Sequence, residues 1–252
     1  MSVHDLIMSA AGASGGTGPA GIASGLVFWL DPSDNSTVTN VSGVCSQLLD
    51  KSPSARVLSQ ATPSLRPEVQ STTFGIQAIG FTSGALLDFN SALNFGSTFT
   101  AVMVASLSQG SGTYRMIGFS NSTNTIASGT DAFFWNTANA AATLQAQVST
   151  RTGNGNSYTY LYSSDYAAGK HLVLLQSTAT PGQGKIRLDR AVATIGGDTL
   201  DGPPLINRMG SASAELYSSS GVIGEVAVYN RILSAGEITT LENYLRTKWG
   251  TP

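Results

Sequence analysis

The sequence has little of what usually builds metal or redox centres. Cys45 is the only cysteine, so no disulfide can form within the 252 residues, and there are only two histidines. No cysteine and histidine spacing of a zinc site is present. Charged residues make up 11% of the chain and the net charge is −2, which provides no basic surface for nucleic acid or for an anionic membrane. We therefore expect no nucleic-acid partner and no zinc centre.

Long apolar runs are also missing. No stretch approaches the roughly 18 consecutive apolar residues that a membrane-spanning helix requires. The first residues, Met1–Asp5, carry an acid where an export signal needs positive charge, and the apolar run that follows is short. The sequence therefore predicts no membrane insertion and no signal peptide.

Pairs of catalytic groups are equally scarce. Glycoside hydrolysis needs two carboxylates about 5 to 9.5 Å apart, and none of the five glutamates has another acid within four residues on a strand-like segment. No G-x-S-x-G turn follows a strand, and His171 begins an apolar strand, where a histidine is usually a paired edge or core group. We predict no catalytic residues and no enzyme. A glycan hydrolase built from acids far apart in sequence is the weaker alternative.

What the chain does have is the pattern of an all-β protein. It contains 28 glycines, and turn signals separate short segments of alternating apolar residues at intervals of about 8 to 12 residues. One segment, Thr98–Ala105, has apolar residues on both faces, as expected for a central strand that is covered on both sides. The pattern favours a sandwich over alternating strands and helices.

The C-terminal thirty residues add one helix to this pattern. The β-branched run Val222–Tyr229 predicts a strand, and Ser234 with Glu237 matches the capping box of a helix start. One apolar stripe follows at spacings of three, four and four, formed by Ile238, Leu241, Leu245 and Trp249. A single strand therefore runs into a single short amphipathic helix.

This ending, together with Gly25–Asp34 and Leu49–Ser52 near the start, resembles the LamG-like, concanavalin A-like jelly-roll family. The resemblance implies an all-β, two-layer antiparallel jelly-roll sandwich with a short C-terminal helix over residues 25–252. It also implies that Trp29 and Trp249 are core packing residues. Such sandwiches serve lectins, hydrolases and structural modules, so the fold alone does not fix the function.

Many LamG-type domains hold a calcium ion at one rim, and the resemblance leaves such a site open here. The acids available for it lie in turns and loops: Asp31, Asp34, Asp131, Asp165, Asp198 and Asp201. The other interpretation is that Asp31 and Asp34 are turn formers, with Asp34 beginning an Asx turn.

Residues 1–24 form an N-terminal segment rich in small residues, which we interpret as an assembly or linker segment. Ala10–Ala23 offers little apolar surface, so an ordered tract needs support, and we expect a neighbouring subunit to provide it. This opening resembles the starts of tail and fibre proteins of tailed phages.

Two aromatic segments are the candidate ligand-binding residues. Tyr158, Tyr160 and Tyr162 alternate, so on a strand their rings share one face that could stack on a sugar. Trp135 and Asn136 form a second group near Asp131. The alternative is that these side chains only cover the edge of the core.

These observations predict a non-enzymatic structural or adhesive component of a tailed-phage virion, in the tail, a fibre or the capsid surface. The expected partners are other virion proteins, bound through residues 1–24, and a host-surface glycan, with homo-oligomeric assembly in the particle. The alternatives are a glycan-binding receptor-recognition lectin domain or, less favoured, a hydrolase of the same fold.

Overall fold

The computed structural model describes residues 18–82, 84–107, 115–120, 132–137, 144–149, 169–178, 184–194, 205–210 and 221–252. Within them lie sixteen strands and one α-helix. The strands are β1 Leu26–Leu30, β2 Val38–Val41, β3 Val44–Leu49, β4 Val57–Ser59, β5 Glu68–Gln70, β6 Ala78–Phe81, β7 Leu86–Asn94, β8 Phe99–Leu107, β9 Arg115–Ser120, β10 Ala132–Thr137, β11 Leu144–Ser149, β12 Gly169–Ser177, β13 Lys185–Leu188, β14 Ala191–Thr194, β15 Leu205–Gly210 and β16 Gly221–Tyr229. The helix is α1, Ala235–Trp249. None of the helices in the described ranges is long and apolar enough to cross a membrane.

The strands form one antiparallel sheet that folds over on itself. Layer one contains β6, β16, β8, β12, β13 and β14, with β1 paired to β16. Layer two contains β11, β10, β9, β15, β7, β4 and β3, with β2 paired to β3. Strand β5 pairs with both β3 and β6 and so connects the layers. The predicted all-β sandwich with a short C-terminal helix is confirmed.

Alternation along the strands sorts the apolar side chains into two clusters. On β8, Ala101 and Met103 point into the core between the layers, whereas Val102 and Val104 point toward α1. Strand β12 alternates in the same way, with Val173 on the inner side. The prediction that the β8 segment is covered on both faces is confirmed, because helix α1 supplies the second cover.

Helix α1 begins and ends as its sequence predicts. The Ser234 hydroxyl accepts a hydrogen bond from the backbone N–H of Glu237, and the Glu237 carboxylate accepts one from the backbone N–H of Ser234, which completes the capping box. Gly250 ends the helix in the left-handed conformation, with φ of 64°. The four residues of the predicted stripe are all buried against layer one: Ile238, Leu241, Leu245 and Trp249.

The segment before β1 also packs on this side of the sandwich. Pro19 is buried in a short 3-10 turn, and Ile22 belongs to the cluster beneath α1. Gly18 has a φ of 61°, and a Cβ there would lie 2.0 Å from the carbonyl oxygen of Ile22, so this turn requires glycine. The described end of the small-residue tract is thus supported by its own domain. Residues 1–17 lie outside the described part.

Candidate functional site

A buried carboxylate, Glu225, lies between layer one and helix α1. The register of β16 against β8 shifts between Ile223 and Val226, so this irregularity turns Glu225 away from the inner core toward the helix. The indole nitrogens of two tryptophans bind it: Trp29 Nε1 donates to Oε1 at 2.7 Å, and Trp249 Nε1 donates to Oε2 at 2.9 Å. Both tryptophans therefore pack in the core, as predicted, and also hold a charge.

Lys248 connects this carboxylate to a second one. Its Nζ lies 2.7 Å from Glu225 Oε2, 2.6 Å from Asp31 Oδ1 and 3.1 Å from the hydroxyl of Tyr244. We call these six residues the docking cluster: Trp29, Asp31, Glu225, Tyr244, Lys248 and Trp249. Because Asp31 follows β1 and Lys248 lies in the last turn of α1, the docking cluster joins the first strand, the last strand and the helix.

The two carboxylates are close enough to resemble a catalytic pair. The two Lys248 contacts, at 2.6 and 2.7 Å, leave the bound oxygens of Asp31 and Glu225 at most 5.3 Å apart. They are therefore no farther apart than the carboxylates of retaining glycosidases, which are separated by about 5 to 5.5 Å. The space between them is occupied by the ammonium group, and the side chain of Glu225 is only 1% exposed. A glycosidic oxygen could not reach it, so this pair docks the helix.

The electrostatics of the docking cluster favour the charged forms of Asp31 and Lys248. Burial alone would raise the pKa of Asp31, but hydrogen bonds from Lys248 and Ser33 outweigh it and hold that pKa below its usual value. Burial likewise opposes the charge on Lys248, but Glu225 and Asp31 raise its pKa above its ordinary value. Burial and the Glu225 charge raise the pKa of Tyr244 to about 12, so its hydroxyl stays protonated.

Asp34 confirms the turn-forming interpretation from the sequence. Its carboxylate accepts a hydrogen bond from the backbone N–H of Ser36 at 3.1 Å, which closes an Asx turn. Lys51 binds Asp34 at 2.8 Å and Asp31 at 3.3 Å, and its hydrogen bond is the main cause that lowers the pKa of Asp34 to about 2. Both acids thus have lysine partners.

For calcium, the described ranges contain no group of three or more metal-ligating side chains of the cysteine, histidine, aspartate and glutamate types. The other four loop acids considered for calcium are Asp131, Asp165, Asp198 and Asp201, and they lie outside the described residues.

Two further buried groups stabilise the same side of the molecule. Glu242 of α1, with a side chain 2% exposed, receives a two-point contact from Arg187 of β13, at 2.7 and 3.0 Å. His171 is paired, as predicted: its Nδ1 lies 2.6 Å from Asp189. Layer one therefore has a cover that is fixed by both apolar and charged contacts.

Layer two carries a different arrangement on its outward side. Residues directly opposite each other in antiparallel pairs lie on the same face, and the registers connect one row across five strands. Thr39 pairs with Gln47, Gln47 with Ser59, Ser59 with Asp88, and Asp88 with Arg208. We call these five residues the polar row. The same register continues from Arg208 to Ser120 of β9.

The polar row faces away from the core. Each of the neighbours Leu48, Leu58 and Met209 is completely buried between the layers, so the alternating positions point outward. No helix in the described part of the chain covers this side, since α1 packs on layer one. We call this side the open face.

One charge pair lies in the polar row. The guanidinium of Arg208 contacts Asp88 at 2.7 and 3.2 Å, and the two side chains are 19% and 46% exposed respectively. Thr39 donates a long hydrogen bond of 3.4 Å to the side-chain oxygen of Gln47, and Ser59 is exposed. The polar row therefore presents hydroxyl, amide and carboxylate groups to solvent.

The residues predicted from the sequence for ligand binding are only partly placed. Trp135 and Asn136 lie on β10, where their backbones pair with Ile117 and Met116 of β9 in layer two. The other four lie outside the described residues: Asp131, Tyr158, Tyr160 and Tyr162. No member of the polar row was predicted. The signal available was weak, because five isolated polar residues become neighbours only through strand register.

Comparison with known proteins identifies the fold. No protein-family model and no curated protein matches the chain. Among solved structures, the botulinum neurotoxin serotype D binding domain is similar, with a TM-score of 0.61 and 13% identity over 92% of this chain and 56% of that one. A Trypanosoma rangeli sialidase in complex with sialic acid has a TM-score of 0.58 and 14% identity over 93% of this chain and 36% of that one.

A third similar structure is a GH54 α-L-arabinofuranosidase soaked with a cyclic sulfate inhibitor, with a TM-score of 0.57 and 12% identity over 90% of this chain and 60% of that one. Two of these three proteins are glycosidases, so the prediction of a protein that is not an enzyme is wrong against this comparison. At such low identity the likeness establishes the shared fold alone. The chain spans about a third of the sialidase, at 36% of its length.

Proposed function

We propose that this chain is a carbohydrate-binding sandwich. The observation that carries the proposal is the polar row on the open face, where hydrogen-bonding side chains from five strands are left in contact with solvent. Sugars are recognised through their hydroxyl groups, which both donate and accept hydrogen bonds. A face that combines a carboxylate, a guanidinium, an amide and hydroxyls supplies both kinds of partner.

The activities of the proteins with similar structures support this proposal. A sialidase with bound sialic acid and an arabinofuranosidase both act on sugars, and the neurotoxin domain is a binding domain. Each shares the sandwich with this chain at 12 to 14% identity. The lectin-like character of the chain thus has support from two sides, the fold and the open face.

Retention on immobilised glycans tests the proposal. The full chain should be retained by at least one glycan of an array and released by the same glycan in free form. Release of reducing ends from the bound glycan, measured in parallel, shows whether the chain also hydrolyses it. Absence of retention across neutral and acidic glycans would contradict carbohydrate binding.

We further propose that the biological setting is host attachment by a tailed-phage virion, where the chain is a tail, fibre or capsid-surface component. The support is the sequence alone: the small-residue tract within 1–24 and the resemblance of both chain ends to LamG-like domains. In that setting residues 1–24 contact other virion proteins, and copies of the chain form a homo-oligomer. Detection of the protein in purified particles, with its copy number, tests this proposal.

The residues that the sequence predicted for ligand binding belong to the proposed site as well. The proposed sugar contacts are Tyr158, Tyr160, Tyr162, Trp135, Asn136 and Asp131. Stacking of the aromatic rings on sugar rings complements the hydrogen bonds of the polar row. Tyr160→Ala should weaken retention on the glycan that the unaltered chain binds. Unchanged retention would remove this segment from the proposed site.

A further inference from the structure

The polar row has a length and a charge that specify its ligand more closely. We propose that it binds an extended, uncharged polysaccharide that lies across the strands of layer two, with the charge pair Asp88 and Arg208 at one end of the contact. This inference rests on the proposed carbohydrate binding and adds the class of glycan and the position of the site.

The length of the row is the first argument. Neighbouring strands of a sheet are about 4.8 Å apart, so the four steps from Thr39 to Arg208 span about 19 Å. A single sugar ring touches only part of this distance, whereas a chain of several linked sugars contacts all five side chains at once. Each further sugar unit contacts a further side chain of the same row, so the affinity should increase with glycan length.

The charge is the second argument. Asp88 and Arg208 neutralise each other through two parallel hydrogen bonds, and the other three members of the row are uncharged. An acidic sugar would meet a carboxylate that is 46% exposed beside a guanidinium whose charge that carboxylate already neutralises. A neutral sugar can instead donate hydroxyl hydrogens to the Asp88 carboxylate, which is a strong charge-assisted acceptor. The row therefore favours neutral glycans over sialylated ones.

An apolar border beside the row is the third argument. Leu49, which is 37% exposed, follows the row position Gln47 by two residues and pairs with Val57 of β4. On the β15 side, Leu205 is 42% exposed. Sugar rings have apolar C–H surfaces as well as hydroxyl groups. The polar row can bind the hydroxyl groups, and the exposed leucines beside it can contact the C–H surfaces.

Affinity electrophoresis of the full chain tests the inference directly. The gels contain one of four uncharged polysaccharides, of the cellulose, xylan, mannan and dextran types, or one of two acidic ones, hyaluronan and polysialic acid. We expect retardation by at least one uncharged polymer and none by the acidic polymers. Oligomers of the bound polymer from two to six units should compete with affinities that rise over the whole series.

Variants locate the site. Asp88→Asn keeps the shape of the side chain and should weaken retardation about tenfold or more, because a charge-assisted hydrogen bond is lost. Ser59→Leu removes an exposed hydroxyl and obstructs the row, so it should weaken retardation as well. Glu68→Gln is the matched control, since Glu68 is an exposed carboxylate on β5 that is outside the row. Far-ultraviolet circular dichroism and thermal melting confirm that each variant is folded.

The outcomes separate this inference from the proposal on which it rests. If an uncharged polymer is bound and both row variants behave like Glu68→Gln, the site is elsewhere and the inference fails while carbohydrate binding stands. If only hyaluronan or polysialic acid is bound, or if dimers compete as well as hexamers, the assigned glycan class is wrong. If no polymer is bound, carbohydrate binding itself fails.

Discussion

Layer one buries its outward carboxylates beneath a helix, whereas layer two leaves its own at the surface. The side chain of Glu225 is 1% exposed and has both oxygens occupied by indole, ammonium and hydroxyl groups. Asp88 of layer two is 46% exposed, and its partner among the described residues is Arg208. The same type of group thus stabilises the fold on one side and is available for a ligand on the other.

Solvation explains this division. An ionised carboxylate that leaves water loses several kilocalories per mole of hydration energy, which only close hydrogen-bonded partners can offset. The docking cluster supplies these partners to Glu225, so both oxygens of this carboxylate already accept hydrogen bonds inside the protein. Water supplies most of the partners of Asp88, and a sugar hydroxyl can replace water at little cost. Substitutions in the two layers should therefore affect different measurements.

The largest loss of stability is expected from Glu225→Ala. This change leaves the indole nitrogens of Trp29 and Trp249 buried without their common acceptor, and it removes one of the two carboxylates that Lys248 binds. Breaking a buried ion pair by removing one partner costs about 3 to 5 kcal/mol, and the free energy of unfolding in urea should fall by that amount. Glu68→Ala, at an exposed carboxylate on β5, is the control and should change it by less than about 0.5 kcal/mol. Equal losses in both variants would refute the docking role.

Gly224→Ala should have the next largest effect, through shape alone. A Cβ at position 224 would lie 2.8 Å from the ring of Trp249, which is completely buried and has no room to move. Overpacking of this kind costs about 1 to 3 kcal/mol in urea unfolding. Gly236→Ala is the matched control, because a Cβ there meets no atom within 4 Å. A neutral Gly224→Ala variant would show that α1 is not held tightly against β16.

Acid should weaken layer one through Asp31. The pKa of Asp31 is lowered below its ordinary value of 3.8 in the folded protein. The unfolded chain therefore binds the proton more readily, so the stability that Asp31 contributes is complete above about pH 5 and is lost as the pH falls through the folded pKa. Urea unfolding between pH 6 and pH 3 at constant ionic strength should show this loss.

Asp31→Asn isolates the contribution of that one group. The variant lacks the titrating carboxyl, so its stability should fall less steeply across the same pH interval than that of the unaltered chain. Asp34 and Glu237, whose pKa values are each lowered to about 2 by a lysine and an arginine partner respectively, keep a residual slope in both proteins. Identical slopes would mean that Asp31 has no net interaction with Lys248 and Ser33.

Local sequence patterns predicted most of layer one. The capping box at Ser234, the helical stripe that ends at Trp249 and the two-sided strand β8 all depend on residues less than about one helix length apart. Each of these patterns lies within a single helix or strand, so it can be recognised without knowing the element against which that helix or strand packs. The core positions of Trp29 and Trp249 followed from the family resemblance.

Contacts between distant residues escaped the same reasoning. Asp31 and Glu225 are separated by about three-quarters of the chain, and Glu225 is a strand carboxylate without an acidic neighbour in the sequence, yet both bind Lys248. The polar row depends on strand register, which shifts at irregularities such as the one between Ile206 and Arg208. No single-strand pattern records which residues lie opposite each other. Geometry that combines several strands therefore became visible only in the folded chain.

The smallest effect on stability is expected from the charge pair in layer two, which sharpens the contrast with Glu225. Asp88 and Arg208 are partly exposed, and water screens such pairs, so a double-mutant cycle of Asp88→Asn and Arg208→Gln should give a coupling energy of about 0.2 to 1 kcal/mol in urea unfolding. The same variants should reduce glycan retention far more than they reduce stability. A coupling energy near that expected for Glu225 would mean that this pair holds layer two together, and the proposed binding site would lose its charged contact.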